Sequence, residues 1–174
     1  MLYGIFRNKN HKNLLLAISK LYKQGIAVNV VFAGKLMYKY EEILSLVIKH
    51  NLQKQITFMG YVPDEYIKGV YLKSKGLVMP TFFGPTNIPP LEAIFVGRPV
   101  AVSNIYGMPE QLQDAALYFD PNDIDDIAEK LKLLWCDEPQ RTQLIENGKK
   151  LVKSWNKKEF NKRFAEIVNS IVLS

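Results

Sequence analysis

Cysteine is almost missing from this chain. Cys136 is the only one among 174 residues, which excludes an intramolecular disulfide. Histidine is nearly as scarce, with His11 and His50 alone, so the inventory for a metal site is poor and no metal is expected. No apolar run reaches the ~18 residues that a membrane span needs. The N-terminal stretch MLYGIFRNKNHKN has neither a long apolar segment nor a small-residue cleavage site, which argues against a secretory signal. The expected compartment is the cytoplasm. No block of about five or six like charges occurs, so a nucleic-acid-binding tail has little support. The GxGxxG and Walker lysine patterns are absent too, which removes the usual dinucleotide and P-loop readings.

What is present fits a soluble globular protein. Hydrophobic residues make up 48%, and the length suits a single domain, expected over residues 1–174, with a sizeable core. The formal charge is +6, with much of the excess in Arg7 to Lys12 and in Lys149 to Arg163. That balance suits a polyanionic partner, such as phosphate or an anionic lipid surface. An ordinary lysine-rich surface gives the same number, and both readings stay open.

Short apolar runs alternate with segments of helical period. Strands are expected at 2–6, 27–34, 55–60, 76–80, 98–104 and in AALYFD (115–120). Between them, Leu14, Leu15, Ile18, Leu21 and Tyr22 repeat with the spacing of one helix face, and Gly25 ends that helix. YEEILSLVIKHN, DEYIKGVYLKS and PPLEAIFVG read as further helices, the last with proline in its first turn and glycine at its end. MPEQLQD reads as a helical turn. Asp120-Pro121-Asn122-Asp123 caps a helix running to about Trp135, and two charged helices follow at about 138–154 and 157–172. The expected fold is α/β, a Rossmann-like parallel sheet with helices on both faces, its core at about 2–135. Such sheets bind ligands beyond the carboxyl ends of their strands.

Four strand-to-helix loops therefore matter. The first, Arg7 to Asn13, sets Arg7 and Lys12 beside a helix N-terminus, which suits a diphosphate; a solvated basic loop with Asn10 or a neighbour as cap is the plainer alternative. The second is Ala33-Gly34-Lys35, where glycine permits close backbone approach to a ligand, or simply turns the chain. The third, Gly60-Tyr61-Val62-Pro63-Asp64, offers backbone groups to the edge of a base or merely runs into a helix. The fourth is FFGPTNIPPLEAIFVGRPVAVSN (82–104). Here Gly84, Thr86, Asn87 and Ile88 offer N–H groups to phosphate. Glu92, read as lying in the first helical turn, is either a dipole partner or an acceptor for two ribose hydroxyls.

Taken together, these residues resemble the C-terminal, donor-binding half of a retaining glycosyltransferase of the GT-B fold, glycosyltransferase family four. The resemblance runs from about Leu2 to Val172. It rests on Pro80-Thr81, Phe83-Gly84, Pro90-Leu91-Glu92-Ala93, Gly97-Arg98-Pro99-Val100, Ser103-Asn104, Gly107-Met108-Pro109-Glu110 and Asp120-Pro121-Asn122-Asp123, in that order. It implies that Arg7 and Lys12 grip the donor diphosphate and act in catalysis. It also implies that Gly34 and Lys35 form the glycine loop, that Gly60 to Val62 meet the base, and that Glu92 holds the ribose. The helix N-terminus near Leu91 would then join the two cations in stabilising the departing phosphate. The donor would be a nucleotide diphosphate sugar, the acceptor a hydroxyl in polysaccharide or glycolipid assembly, and no cofactor or metal would be needed.

Two departures from the family pattern stand out. A second glutamate usually precedes the ribose glutamate by eight residues; counting back gives Gly84, and a loop-adjusted alignment gives Thr81. Neither is acidic, and Asn87 of the Pro85-Thr86-Asn87 insertion is a candidate substitute. The N-terminal acceptor half is also absent. The chain is expected to be a fragment or to work with a partner chain, and by itself not to catalyse efficiently. The lysine-rich C-terminal helices, with Trp155 and Phe160, would reach the other half, contact a membrane surface bearing a lipid-linked acceptor, or present a solvated face. Rival readings are an epimerase of the same fold and a non-catalytic nucleotide-sugar-binding module; nucleic acid is not an expected partner.

Overall fold

A computed structural model describes residues 2–3, 9–34, 40–84, 87–155 and 157–172. The elements alternate as the periodicities require: β1 (Leu2–Tyr3), α1 (His11–Lys23), β2 (Val30–Ala33), α2 (Tyr40–Lys49), β3 (Ile56–Gly60), α3 (Asp64–Lys73) and β4 (Leu77–Met79). Then come α4 (Ile88–Phe95), β5 (Val100–Ser103), α5 (Met108–Leu112), β6 (Ala116–Phe119), α6 (Ile124–Cys136), α7 (Glu138–Ser154) and α8 (Lys157–Val172). Strands β2 to β6 are shorter than their apolar runs, and residues 4–6 of the first expected strand lie outside the described residues.

Every strand pair is parallel. The ladders fall into two three-stranded halves, β1-β2-β3 and β4-β5-β6, and β1 lies against β4. That gives the spatial order 3-2-1-4-5-6 of a doubly wound sheet. The expectation of a single sheet thus becomes two hydrogen-bonded halves meeting at β1 and β4. Helices α1, α2 and α6 pack together, and α4 packs on α7.

Apolar spacing decides which faces are buried. Leu14, Leu15, Ala17 and Ile18 of α1 are fully buried, each leucine stabilising the fold by roughly 1.5–3 kcal/mol through burial. Residues of β4 and β5 are buried on both faces, as expected of central parallel strands. The ends are set by local chemistry. Asp123 caps α6 by accepting from the amides of Asp125 and Asp126. At the end of α4, Arg98 N–H donates to Ala93 O at 2.8 Å and Gly97 N–H to Ile94 O at 2.9 Å. This Schellman closure needs a left-handed residue, and Gly97 supplies it with φ 72°.

Candidate functional site

Because all six strands run parallel, the loops after their carboxyl ends share one edge of the sheet. The sequence-derived residues that fall among the described ones gather there. Lys12 is exposed in the first turn of α1. Gly34 follows β2 and donates its N–H to Gly60 O at 2.7 Å, so the second and third loops are tied to each other. Val62 turns its side chain into the core, leaving its backbone as the group available to a ligand. Gly84, Asn87 and Ile88 follow β4, and Leu91 and Glu92 sit on α4. Arg7, Lys35 and Thr86 lie outside the described residues.

The β4–α4 loop is held by side chains that bond back onto it. Thr81, fully buried, donates its hydroxyl to Phe83 O at 2.7 Å and accepts from Phe83 N–H at 3.3 Å. Asn87 and Gln111, both buried, exchange a reciprocal pair of contacts: Asn87 N–H to Gln111 Oε1 and Gln111 Nε2 to Asn87 O, each 3.4 Å. The Asn87 amide reaches Gly84 O at 3.4 Å and Met108 Sδ at 3.5 Å. A Cβ at Gly84 would stand 2.8 Å from that amide nitrogen, so the glycine makes room for it. Asn87 and Thr81 are therefore committed to shaping the loop.

Helix α4 opens at Ile88, not at the prolines, so Glu92 is its fifth residue and stands beyond the first turn. This is a correction to the reading of Glu92 as a first-turn dipole partner; no acidic residue occupies that turn. Pro89 and Pro90 carry no N–H, so Ile88 is the open donor of the first turn; Leu91, the fourth helical residue, has the N-cap Asn87 carbonyl as its acceptor. Glu92 is half-buried, and its Oε2 accepts the Tyr71 hydroxyl at 2.9 Å.

At the first loop, Asn10 is in the N-cap position but makes no cap bond with its side chain. That overturns its reading as a capping residue. Its amide instead donates to Pro121 O at 2.7 Å, and Asn13 donates to the same oxygen at 2.9 Å. The β1–α1 and β6–α6 loops are thus clasped together. Beneath them His11 is buried edge-on against Phe32, with ring centroids 5.1 Å apart, and its Nε2 has no hydrogen-bond partner among the described residues. Burial, with Lys9 adding to it, pushes the imidazole down to about 4, so His11 is neutral at pH 7.

Sequence reasoning missed Tyr71, Gln111 and the clasp at Pro121. Tyr71 is the buried residue of its helix, and a buried hydroxyl requires a partner, but that burial is seen only in the structure. The other partnerships join residues far apart in the chain and leave no local pattern.

Comparison with known proteins defines the class. The fold is a Rossmann-like half of a GT-B glycosyltransferase fold. The chain belongs to the glycosyl transferases group 1 family, whose model matches residues 2–151. It is 33% identical over 121 residues to O-antigen chain mannosyltransferase B of Escherichia coli, covering 69% of this chain and 32% of that protein. The chain thus spans about a third or less of the length of the curated relatives it matches. It superposes on the C-terminal domain of the group 1 family protein LpcC from Francisella tularensis with TM-score 0.78, at 23% identity, over 88% of this chain and 83% of that one. It also superposes on HepE of Anabaena, solved with UDP and glucose, with TM-score 0.78, at 16% identity, over 97% and 48%.

Proposed function

We propose that the chain, residues 1–174, is the donor-binding domain of a glycosyltransferase. The whole enzyme would move a sugar, with retention, from a nucleotide diphosphate sugar to an acceptor hydroxyl in polysaccharide or glycolipid assembly. The observation that carries this reading is Glu92, a half-buried carboxylate held at the carboxyl edge of the sheet, beside a helix end whose open donor is Ile88. In this reading Glu92 accepts the ribose hydroxyls, and the amides of Gly84, Thr86 and Ile88 meet the diphosphate. Gly34, Lys35 and the backbone of Gly60 to Val62 surround sugar and base. Arg7 and Lys12 neutralise the charge on the departing phosphate, the electrostatic role a metal fills elsewhere.

An acceptor-binding half completes the cleft, and a lipid-linked acceptor would bring the enzyme to the cytoplasmic face of a membrane. No described helix is long and apolar enough to cross one. The exposed stripe of Phe160, Phe164, Ile167 and Ile171 on α8 supports contact with that other half.

The test is a titration of the chain with UDP, GDP, ADP and CMP by calorimetry. The relative's name directs attention to mannosyl donors and the HepE complex to UDP, so the panel spans both. One diphosphate is expected to bind weakly, with Glu92→Ala and Arg7→Ala each losing at least tenfold. Undiminished binding by Glu92→Ala would sink the site.

A second reading is favoured by one observation. Gly84 and Thr81, the two candidates for the second family glutamate, are not acidic, and Asn87 is engaged within its own loop. A nucleotide-sugar-binding module without turnover would look the same. Sugar transfer by the chain joined to an acceptor half distinguishes the two.

A further inference from the structure

Tyr71 is the only buried residue of α3 among those described, and it is 1% exposed. Its hydroxyl lies 2.9 Å from Glu92 Oε2 and 3.3 Å from Pro89 O. A phenol has one proton, and the nearer, charged acceptor takes it. Burying that oxygen without a partner would cost more than burying the ring alone would require. Packing by itself is served by phenylalanine, so the hydroxyl's contribution lies in what it holds.

We propose that Tyr71 is a positioning residue for nucleotide recognition: its hydroxyl fixes the Glu92 carboxylate so that the remaining lone pairs face two vicinal ribose hydroxyls. The inference rests on the reading of Glu92 as the ribose ligand. A free glutamate would sample several rotamers and lose that freedom on binding a nucleotide. Tyr71 removes the loss in advance by anchoring one oxygen. The same helix begins at Asp64, directly after the Gly60–Pro63 loop assigned to the base. Asp64 and Tyr71 are two turns apart, roughly 10 Å along the axis. Helix α3 therefore joins the base loop at one end to the ribose carboxylate farther along, and sets the spacing between them.

The experiment titrates the 174-residue chain with UDP, GDP and ADP and with the 2′,3′-dideoxy form of each, for the parent, Tyr71→Phe and Glu92→Gln. The parent is expected to prefer one ribonucleotide over its dideoxy form by about tenfold. Tyr71→Phe should cut that preference at least threefold while holding the dideoxy affinity within twofold, and Glu92→Gln should abolish the preference. Equal losses on both ligand forms would reduce Tyr71 to packing and overturn the proposal. So would an unchanged preference in Tyr71→Phe alongside a lost one in Glu92→Gln, which would leave the reading of Glu92 intact. A preference that survives Glu92→Gln, or no binding of any diphosphate, would overturn both. If Tyr71→Phe does not fold, NMR of the parent decides: a slowly exchanging Tyr71 hydroxyl proton that shifts with the bound diphosphate is expected, and a freely exchanging one overturns the proposal.

Discussion

The two half-sheets are built from the same parallel ladder but differ in how they are covered. In β4-β5-β6, every residue of β4 and β5 is buried, and Phe119 closes β6 at 1% exposure. In β1-β2-β3, strand β3 alternates, with Ile56 buried and Thr57 and Met59 exposed. Its open side borders a groove of about 650 Å³ lined by Val31, Met59, Val70, Leu134 and Trp135. Helix α3 stands over this groove and buries only Tyr71 among its described residues. The central strands β4 and β5 are thus covered on both faces, while the outer strand β3 keeps one face open. This hollow is apolar and lies away from the carboxyl-edge loops.

That contrast can be broken experimentally. The largest effect is expected for Phe119→Ala, which opens a void in the well-packed half and should cost about 3–5 kcal/mol in urea unfolding. Next is acid. The folded His11 value of about 4 lies below the ordinary 6.5, so between those values the unfolded chain binds more protons. Stability present above pH 6.5 is lost as pH falls toward 4, by up to roughly 3 kcal/mol. Urea midpoints of the parent should fall over that window, while those of His11→Gln stay flatter. A parallel fall in both would assign the acid sensitivity elsewhere. Smaller again is Asn10→Ala, which removes one of two donors to Pro121 O and should cost about 1–2 kcal/mol, read as a lowered melting temperature. The smallest is Met59→Ser on the open face, expected within about 0.5 kcal/mol in the same melt. A larger loss would mean that the groove is more tightly packed than its exposure indicates.

The same division marks what the sequence could reveal. The alternation of apolar runs and 3.6-period segments was enough for the parallel α/β order, because each strand and helix advertises its own period. Gly97 and Asp123 marked their helix ends for the same local reason. The placement of Glu92 on a helix led by Pro89 and Pro90 was legible, though not the turn it occupies, since Ile88 gives no sign of starting a helix before proline. Tyr71 with Glu92, Asn87 with Gln111, and Asn10 with Pro121 were not legible. Each depends on two distant segments meeting, and spacing along the chain carries no record of that. Asn87 read as a candidate polar contact because its chemistry allowed it; its bonds within its own loop, like those of Thr81, became visible only in three dimensions.

The clasp of Asn10 and Asn13 on the Pro121 carbonyl also bears on how the chain assembles. Within each half-sheet the described ladders join strands that follow one another in sequence, so those pairings need only modest excursions of the chain. Docking α6 onto α1 is different, because the Asn10 bond to Pro121 spans 111 positions. Closing a loop of that length costs roughly 4 kcal/mol of chain entropy before any contact repays it. Pairing within each half thus closes short stretches of chain, whereas docking α6 onto α1 closes a long one. Two asparagines on a single carbonyl are the latch on that long closure.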